Sequence, residues 1–313
     1  MKRDTSRAQG PFIIYAAMVA AMVFWAFSFI WTKMVLVHYR PFTILLVRLV
    51  LSVLVMAVLD RWLRRIQRIE RAHLKHILLL SFLQPFVYFV GETYALDYVS
   101  STVAAVCVAT IPLFAPSVSY LFFGERVRPF NFAGIVISIA GVVMVVLRDD
   151  AAWAASLTGF LFLLLAVVTA LAYSVLLIRL PGNYNVYSII YYQNLVGIGW
   201  FLIAFLCFDL GHARAAGIHW EALPPLLALA VFASSLAFVF FTHGIRKLGI
   251  TKANACTNII PVFTAIFAFL LLGERFSLLN IAGMLLVIVG LFMSQMGHAL
   301  LATGKNFFFR QRP

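Results

Sequence analysis

GERVRPFNFAGIVISIAG at residues 124–141 and GERFSLLNIAGMLLVIVG at residues 273–290 are one pattern written twice. Sliding the chain by 149 residues without a gap brings them into register. The match extends N-terminally from there. Thr102, Ala104, Cys107 and Pro112 fall on Thr251, Ala253, Cys256 and Pro261. Sixteen of the 43 positions from 102 to 144 are identical in this alignment. A weaker match at a shift of 146 sets Ala26, Ser28 and Lys33 on Ala172, Ser174 and Arg179. The chain is therefore read as an internal duplication.

The composition says what is duplicated. Of 313 residues, 64% are hydrophobic and 11% charged, and the mean hydropathy is +1.00. A soluble domain is nearer half apolar and a quarter charged. A globule of this size has no interior large enough to hide the excess. Soluble enzymes, nucleic-acid-binding domains and disordered chains are excluded on this ground. Ten apolar stretches are long enough to cross the hydrocarbon core, which takes about 20 residues. They lie at 12–32, 41–59, 77–96, 101–123, 130–147, 157–178, 186–207, 222–243, 253–272 and 278–297. Five fall in each half. The expected organisation is an N-terminal tail (1–11), a first five-helix repeat (12–147), a second (157–297) and a basic C-terminal tail (298–313). Five is odd, so the second repeat enters the membrane upside down. The expected fold class is an all-α polytopic membrane protein of ten transmembrane helices in two inverted five-helix repeats. Inverted repeats are an architecture of secondary transporters, with the substrate site near the midplane between them.

The net charge of +13 belongs to the membrane as well. With the N-terminus inside, eighteen Lys and Arg fall in inside segments and five in outside segments. That bias places both termini in the cytoplasm. The loop 61–76 would lie inside and 208–221 outside. No nucleic-acid partner is expected; the expected partners are a small-molecule substrate and the bilayer, with the chain working as a monomer or homodimer. The run 12–31 reads as a retained first helix rather than a cleaved signal. Cys107, Cys207 and Cys256 match no metal-site spacing and read as small buried hydrophobes. No metal, cofactor or catalytic activity is expected, because GxSxG, HExxH and Walker sequences are absent.

An ionisable residue inside a span costs roughly 2.5–3.5 kcal/mol on insertion scales, so it needs a reason. Arg48 in the second helix and Glu92 in the third stand in the expected outer half of the membrane. Arg48 is a candidate for binding a substrate carboxylate. Glu92 is the proton-coupling candidate, because desolvation favours its neutral form while a nearby cation favours the charged one. Ser81, Gln84, Tyr88 and Glu92 recur at helical spacing. A polar stripe cannot face lipid, so it should look into the bundle. Further candidates are Trp25 and Ser28 in the first helix, Tyr173 in the sixth, Asn194 in the seventh, and Asn254 and Asn258 in the ninth. Pro112 and Pro261, equivalent in the two repeats, are hinge candidates because each removes a backbone hydrogen bond. Gly124 and Gly273 suit helix C-caps. Glu125 and Glu274 are expected to accept from the N-terminus of the helix that follows each. His243 is a weaker cavity candidate.

The five-plus-five duplication, GERxxxxNxxGxxxxxxG at 124–141 and 273–290, and ALDYVSST at 95–102 resemble the drug/metabolite transporter superfamily, EamA type. The resemblance covers nearly the whole chain. It implies a carrier that moves small metabolites, often amino acids or related solutes, commonly outward. The motif is nearly silent on the substrate. An uncoupled facilitator of the same fold is the alternative. A multidrug carrier fits less well, since the four-helix relatives rely on a carboxylate in the first helix and residues 12–32 contain none. A membrane enzyme or lipid-handling protein lacks a convergent catalytic set.

Overall fold

A computed structural model describes residues 11–114, 121, 129–146, 153–180, 184–248 and 256–308. No strand occurs among the described residues. Ten helical spans follow one another: α1 (Pro11–Leu36), α2 (Pro41–Leu63), α3 (Arg71–Tyr98), α4 (Ser101–Phe114), α5 (Pro129–Val146), α6 (Trp153–Ile178), α7 (Val186–Ala216), α8 (Trp220–Phe241), α9 (Ile260–Leu272) and α10 (Leu278–Phe308). Six are long and apolar enough to cross a membrane, and the other four are shorter apolar helices. The chain is an all-α polytopic membrane protein. Large apolar side chains such as Leu54, Val58, Leu161 and Phe292 point outward, as a lipid-facing surface requires.

The two repeated stretches meet. A Cβ on Gly134 would stand 2.5 Å from the Gly290 carbonyl oxygen, and one on Gly141 would stand 2.6 Å from that of Gly283. Only glycine permits this approach of backbones. In the 149-residue register Gly134 is equivalent to Gly283, and Gly141 to Gly290. Each glycine thus packs against the counterpart of the other, and α5 and α10 run antiparallel. The hydrogen bonds repeat the relation. Asn131 Nδ2 donates to the Ser294 carbonyl at 2.7 Å, and Asn280 Nδ2 donates to the Val145 carbonyl at 3.2 Å. Asn131 and Asn280 are equivalent, as are Val145 and Ser294. A pseudo-twofold axis relates α5 to α10.

Several spans are interrupted, and the sequence shows why. In α3 the helix Leu74–Ser81 gives way to a wider turn at Phe82–Val87, where Gln84 is extended (φ −141°, ψ 118°) ahead of Pro85. Pro85 has no N–H to continue the ladder, and it disfavours a helical residue before it. The expected single stripe from Ser81 to Glu92 is therefore broken. Ser81 is buried elsewhere, donating to the Leu78 carbonyl and accepting from Trp200 Nε1. In α4 the ladder tightens at Thr110, whose N–H bonds the Cys107 carbonyl at 3.1 Å, and Pro112 follows. Before α9 the equivalent bond joins the Ile259 N–H to the Cys256 carbonyl at 3.2 Å, and Pro261 follows. Both hinge candidates thus stand just past matched helix breaks. α7 continues helically to Ala216, well into the stretch expected as an outside loop.

The GER turns correct one expectation. Gly273 is the left-handed C-cap of α9 (φ 65°). Glu274, however, does not cap α10, which follows it. Its carboxylate accepts from the Ser101 N–H at 2.7 Å and from the Thr102 hydroxyl at 3.0 Å, at the start of α4 in the other half. A helix N-terminus presents several unpaired N–H groups, and a carboxylate satisfies them wherever it comes from. Spatial proximity across the pseudo-twofold decides, not sequence order. Gly124 and Glu125 lie outside the described residues.

Candidate functional site

A cavity of about 240 Å³ lies among α1, α2, α3, α4, α8 and the start of α9. Trp25, Ser28, Arg48, Gln84, Tyr88 and Glu92 all line it. Six of the ten substrate-binding candidates therefore converge from three helices, and Pro112 joins them from α4. Phe89, Phe241 and Thr257 complete much of the wall.

Arg48 and Glu92 are 3% and 5% exposed, so both charges are held within protein. α3 runs two residues past the expected boundary, so Glu92 lies six residues, about 9 Å of helix rise, from its end. Arg48 is held by α8 and α3. Its Nε donates to Ser234 Oγ at 2.6 Å, and its guanidinium carbon stands 4.4 Å from the centre of the Phe89 ring. A desolvated cation over an aromatic face gains about 2 kcal/mol. Tyr88 stands one helical turn before Glu92 on the same face of α3, and both side chains line the cavity. Arg48 and Glu92 do not form a direct ion pair within 4.0 Å. The two charges face one cavity from opposite partners.

The support on α8 escaped sequence reading. Residues Leu229–Leu236 form wide turns that loosen the regular ladder. The carbonyls left there find side chains: Ala233 accepts from Trp25 Nε1 at 3.2 Å, and Ser234 from Ser52 Oγ at 3.2 Å. The signal was the Ser234–Ser235 pair inside an otherwise apolar run. Trp25 is further fixed by edge contacts with Phe238 and Phe241, with ring centres 5.2 and 5.0 Å away.

Three candidates sit elsewhere. Tyr173 and Asn194 line a separate side pocket of about 40 Å³, not the central cavity. Asn258 is buried but does not line either space, and its neighbour Thr257 takes the place on the wall. Asn258 falls in the turn just before α9, where the Ile259 N–H bonds the Cys256 carbonyl. Asn254 lies outside the described residues.

The surroundings of the cavity differ on its two sides. Beyond Phe238 opens a vestibule of about 910 Å³, rimmed by Arg64, Arg65, Gln67, Asn185, His243 and Lys247. Phe238 lines the vestibule, the central cavity and the side pocket alike. On the opposite side a hollow of about 640 Å³ shares no wall residue with the central cavity, and the chain is tied there. Lys33 Nζ donates to the Val99 carbonyl at 2.7 Å, and Glu274 holds the start of α4.

The sequence pattern of the EamA-like transporter family matches residues 12–147 and again 157–296. The chain belongs to this family. Its similarity to other members runs nearly end to end. An uncharacterized transporter of Archaeoglobus fulgidus is 27% identical over 275 residues, covering 87% of this chain and 94% of the relative. The uncharacterized transporter YcxC of Bacillus subtilis is 23% identical over 293 residues, covering 90% and 92%. A solved crystal structure resembles the chain with a TM-score of 0.65 at 16% identity, over 92% of this chain and 99% of that one. That last likeness concerns the fold alone. As an EamA-like transporter, the chain is a multi-pass membrane protein that handles small-molecule substrates within the bilayer.

Proposed function

We propose that this EamA-like transporter is a secondary exporter of small metabolites, such as amino acids or related solutes, working by alternating access across the cytoplasmic membrane. The observation that carries the reading is the buried Arg48 and Glu92 in one cavity with the aromatic rings of Trp25, Tyr88 and Phe89. A cation and a carboxylate that do not neutralise each other suit a solute bearing both charges. Its carboxylate would meet the Arg48 guanidinium, which can hold two oxygens at once. Its cationic group would meet Glu92, and an apolar remainder would lie against the rings. A volume of about 240 Å³ suits a molecule of amino-acid size and is small for drug-sized cargo, whose pockets run from about 300 Å³ upward.

The orientation rests on the charge bias. The basic rim of the vestibule, with Arg64, Arg65 and Lys247, is the face that the positive-inside rule puts in the cytoplasm. In that orientation the described conformation faces inward, with the outer side tied at Lys33 and Glu274. Labelling of single cysteines in the 61–76 loop from the cytoplasmic side alone would agree; labelling from outside would reverse the orientation.

The test of function is counterflow in proteoliposomes with pooled labelled metabolites, with and without a pH gradient. Accumulation of one or a few small charged metabolites is expected. Accumulation of none across the amino acids and related solutes would reject the reading. Flux indifferent to the gradient would make the protein a facilitator.

A further inference from the structure

The side pocket next to the central cavity holds a polar group with nothing to bind. Gln193, 3% exposed, comes from α7 and has a side-chain Nε2 without a hydrogen-bond partner. Its other end is occupied: the Tyr173 hydroxyl donates to Gln193 Oε1 at 3.2 Å. Turning the amide over would merely leave its carbonyl oxygen in the vacant place, since a tyrosine hydroxyl can also accept. Either way one end of a buried amide is left for something else. Buried polar groups are normally paired, and leaving one unpaired costs about 1–3 kcal/mol.

The pocket is continuous in its lining with the central cavity, sharing Gln84, Phe89 and Phe238. Its volume of about 40 Å³ compares with the ~30 Å³ that one water occupies in the liquid. A carboxylate accepts without donating, so it satisfies only one sense of the amide, and a phenyl ring does not fit. A hydroxyl does, and it both donates and accepts, so it satisfies either sense of the amide. Ser234, which holds Arg48, also lines this pocket, so the space lies beside the site for the charged head.

We propose that this pocket is a hydroxyl-recognising subsite, and that the cargo is a small charged or zwitterionic solute carrying an aliphatic or phenolic hydroxyl. The inference rests on the transport reading above and narrows it. The charged head lies at Arg48 and Glu92; the hydroxyl reaches past Phe89 to Gln193. Loss of the hydroxyl leaves the amide unpaired again, and discrimination comes from that penalty rather than from size.

Matched labelled pairs test this in counterflow: L-serine with L-alanine, L-homoserine with L-2-aminobutyrate, and L-tyrosine with L-phenylalanine. The wild type is expected to favour the hydroxylated member of at least one pair by about tenfold or more. Gln193→Leu should lower that ratio towards one while the deoxy member still exchanges. The wild-type ratio needs no variant, so a folding defect in Gln193→Leu leaves the test intact. Equal counterflow of both members in every pair overturns the subsite and leaves the transport reading in place; the pocket then holds water only. A preference that survives in well-folded Gln193→Leu also overturns it. Counterflow of none of these six probes overturns the subsite, whereas the transport reading falls only if the whole metabolite pool also fails to accumulate.

Discussion

At Arg48 the bilayer and the proposed cargo make opposite demands on one side chain. A cation in a span costs roughly 2.5–3.5 kcal/mol before any compensation. Ser234 Oγ and the Phe89 ring compensate part of that, at 2.6 and 4.4 Å. Removing the charge therefore relieves a burial cost at the same time as it removes a binding group. Arg48→Ala should lower counterflow by tenfold or more while folded yield falls much less; a fall in yield that accounts for the whole loss would make Arg48 structural. Arg48→Lys should recover little, because an ammonium cannot reproduce the planar fork that holds a carboxylate bidentately. Glu92 carries the coupling proposal. Flux of the wild type should follow an imposed pH gradient, and Glu92→Gln should lose that response while still exchanging substrate more weakly, since the amide oxygen accepts from the cationic group without carrying a charge. Retention of the gradient response in Glu92→Gln would move coupling to another group.

The elements show where the sequence was legible and where physics outside the sequence pattern took over. The spans were legible because each is a long apolar run; the α5–α10 pairing was not read from the sequence, although Gly134, Gly141, Gly283 and Gly290 recur in the duplicated motif. The wide turn of α8 was not legible, since no proline or glycine marks Leu229–Leu236. The Ser234–Ser235 pair was the one sign of a polar contact there, and Phe238 gave none of its place beside the vestibule. α3 misled in a different way. The 3, 4, 4 spacing of Ser81, Gln84, Tyr88 and Glu92 assumed a regular helix, but Pro85 was the stronger signal. Three candidates stand outside the central cavity: Tyr173 and Asn194 line the side pocket and Asn258 lies in the break before α9, while Asn254 lies outside the described residues. Two variants probe the elements. Gly134→Val would put side-chain carbon against the Gly290 carbonyl, where even a Cβ would lie at 2.5 Å. It should destabilise the protein by about 1–3 kcal/mol or more, read as a lower unfolding temperature in detergent. Glu274→Ala removes the acceptor that spans the two halves at Ser101 and Thr102. Loss of a helix cap costs about 0.5–2 kcal/mol. Labelling of the α4 start from the outer face should rise; unchanged labelling would mean that this contact does not hold the outer side closed.

For the whole molecule, the pseudo-twofold and the conformation pull in different directions. α5 and α10 are related by equivalent contacts at Asn131 and Asn280, yet the spaces around the central cavity are unequal. One side opens into about 910 Å³ beyond Phe238, which also lines the central cavity; on the other a hollow of about 640 Å³ shares no wall residue with that cavity, and there Lys33 bonds Val99 and Glu274 bonds the start of α4. Two inverted halves can exchange these roles, which is how such repeats give a binding site access to each side in turn. The matched breaks before Pro112 and Pro261 are the proposed points of bending. The most direct measurement places one reporter in the cavity wall. Val108 lines the central cavity. In a variant with Cys107, Cys207 and Cys256 replaced, Val108→Cys would be labelled in sealed vesicles of known orientation with a membrane-impermeant maleimide applied to one face at a time. Alternating access predicts labelling from both faces, faster from the vestibule side, with the ratio shifted by a transported metabolite. Labelling from one face alone, unmoved by any metabolite that the counterflow screen identifies, would contradict the account.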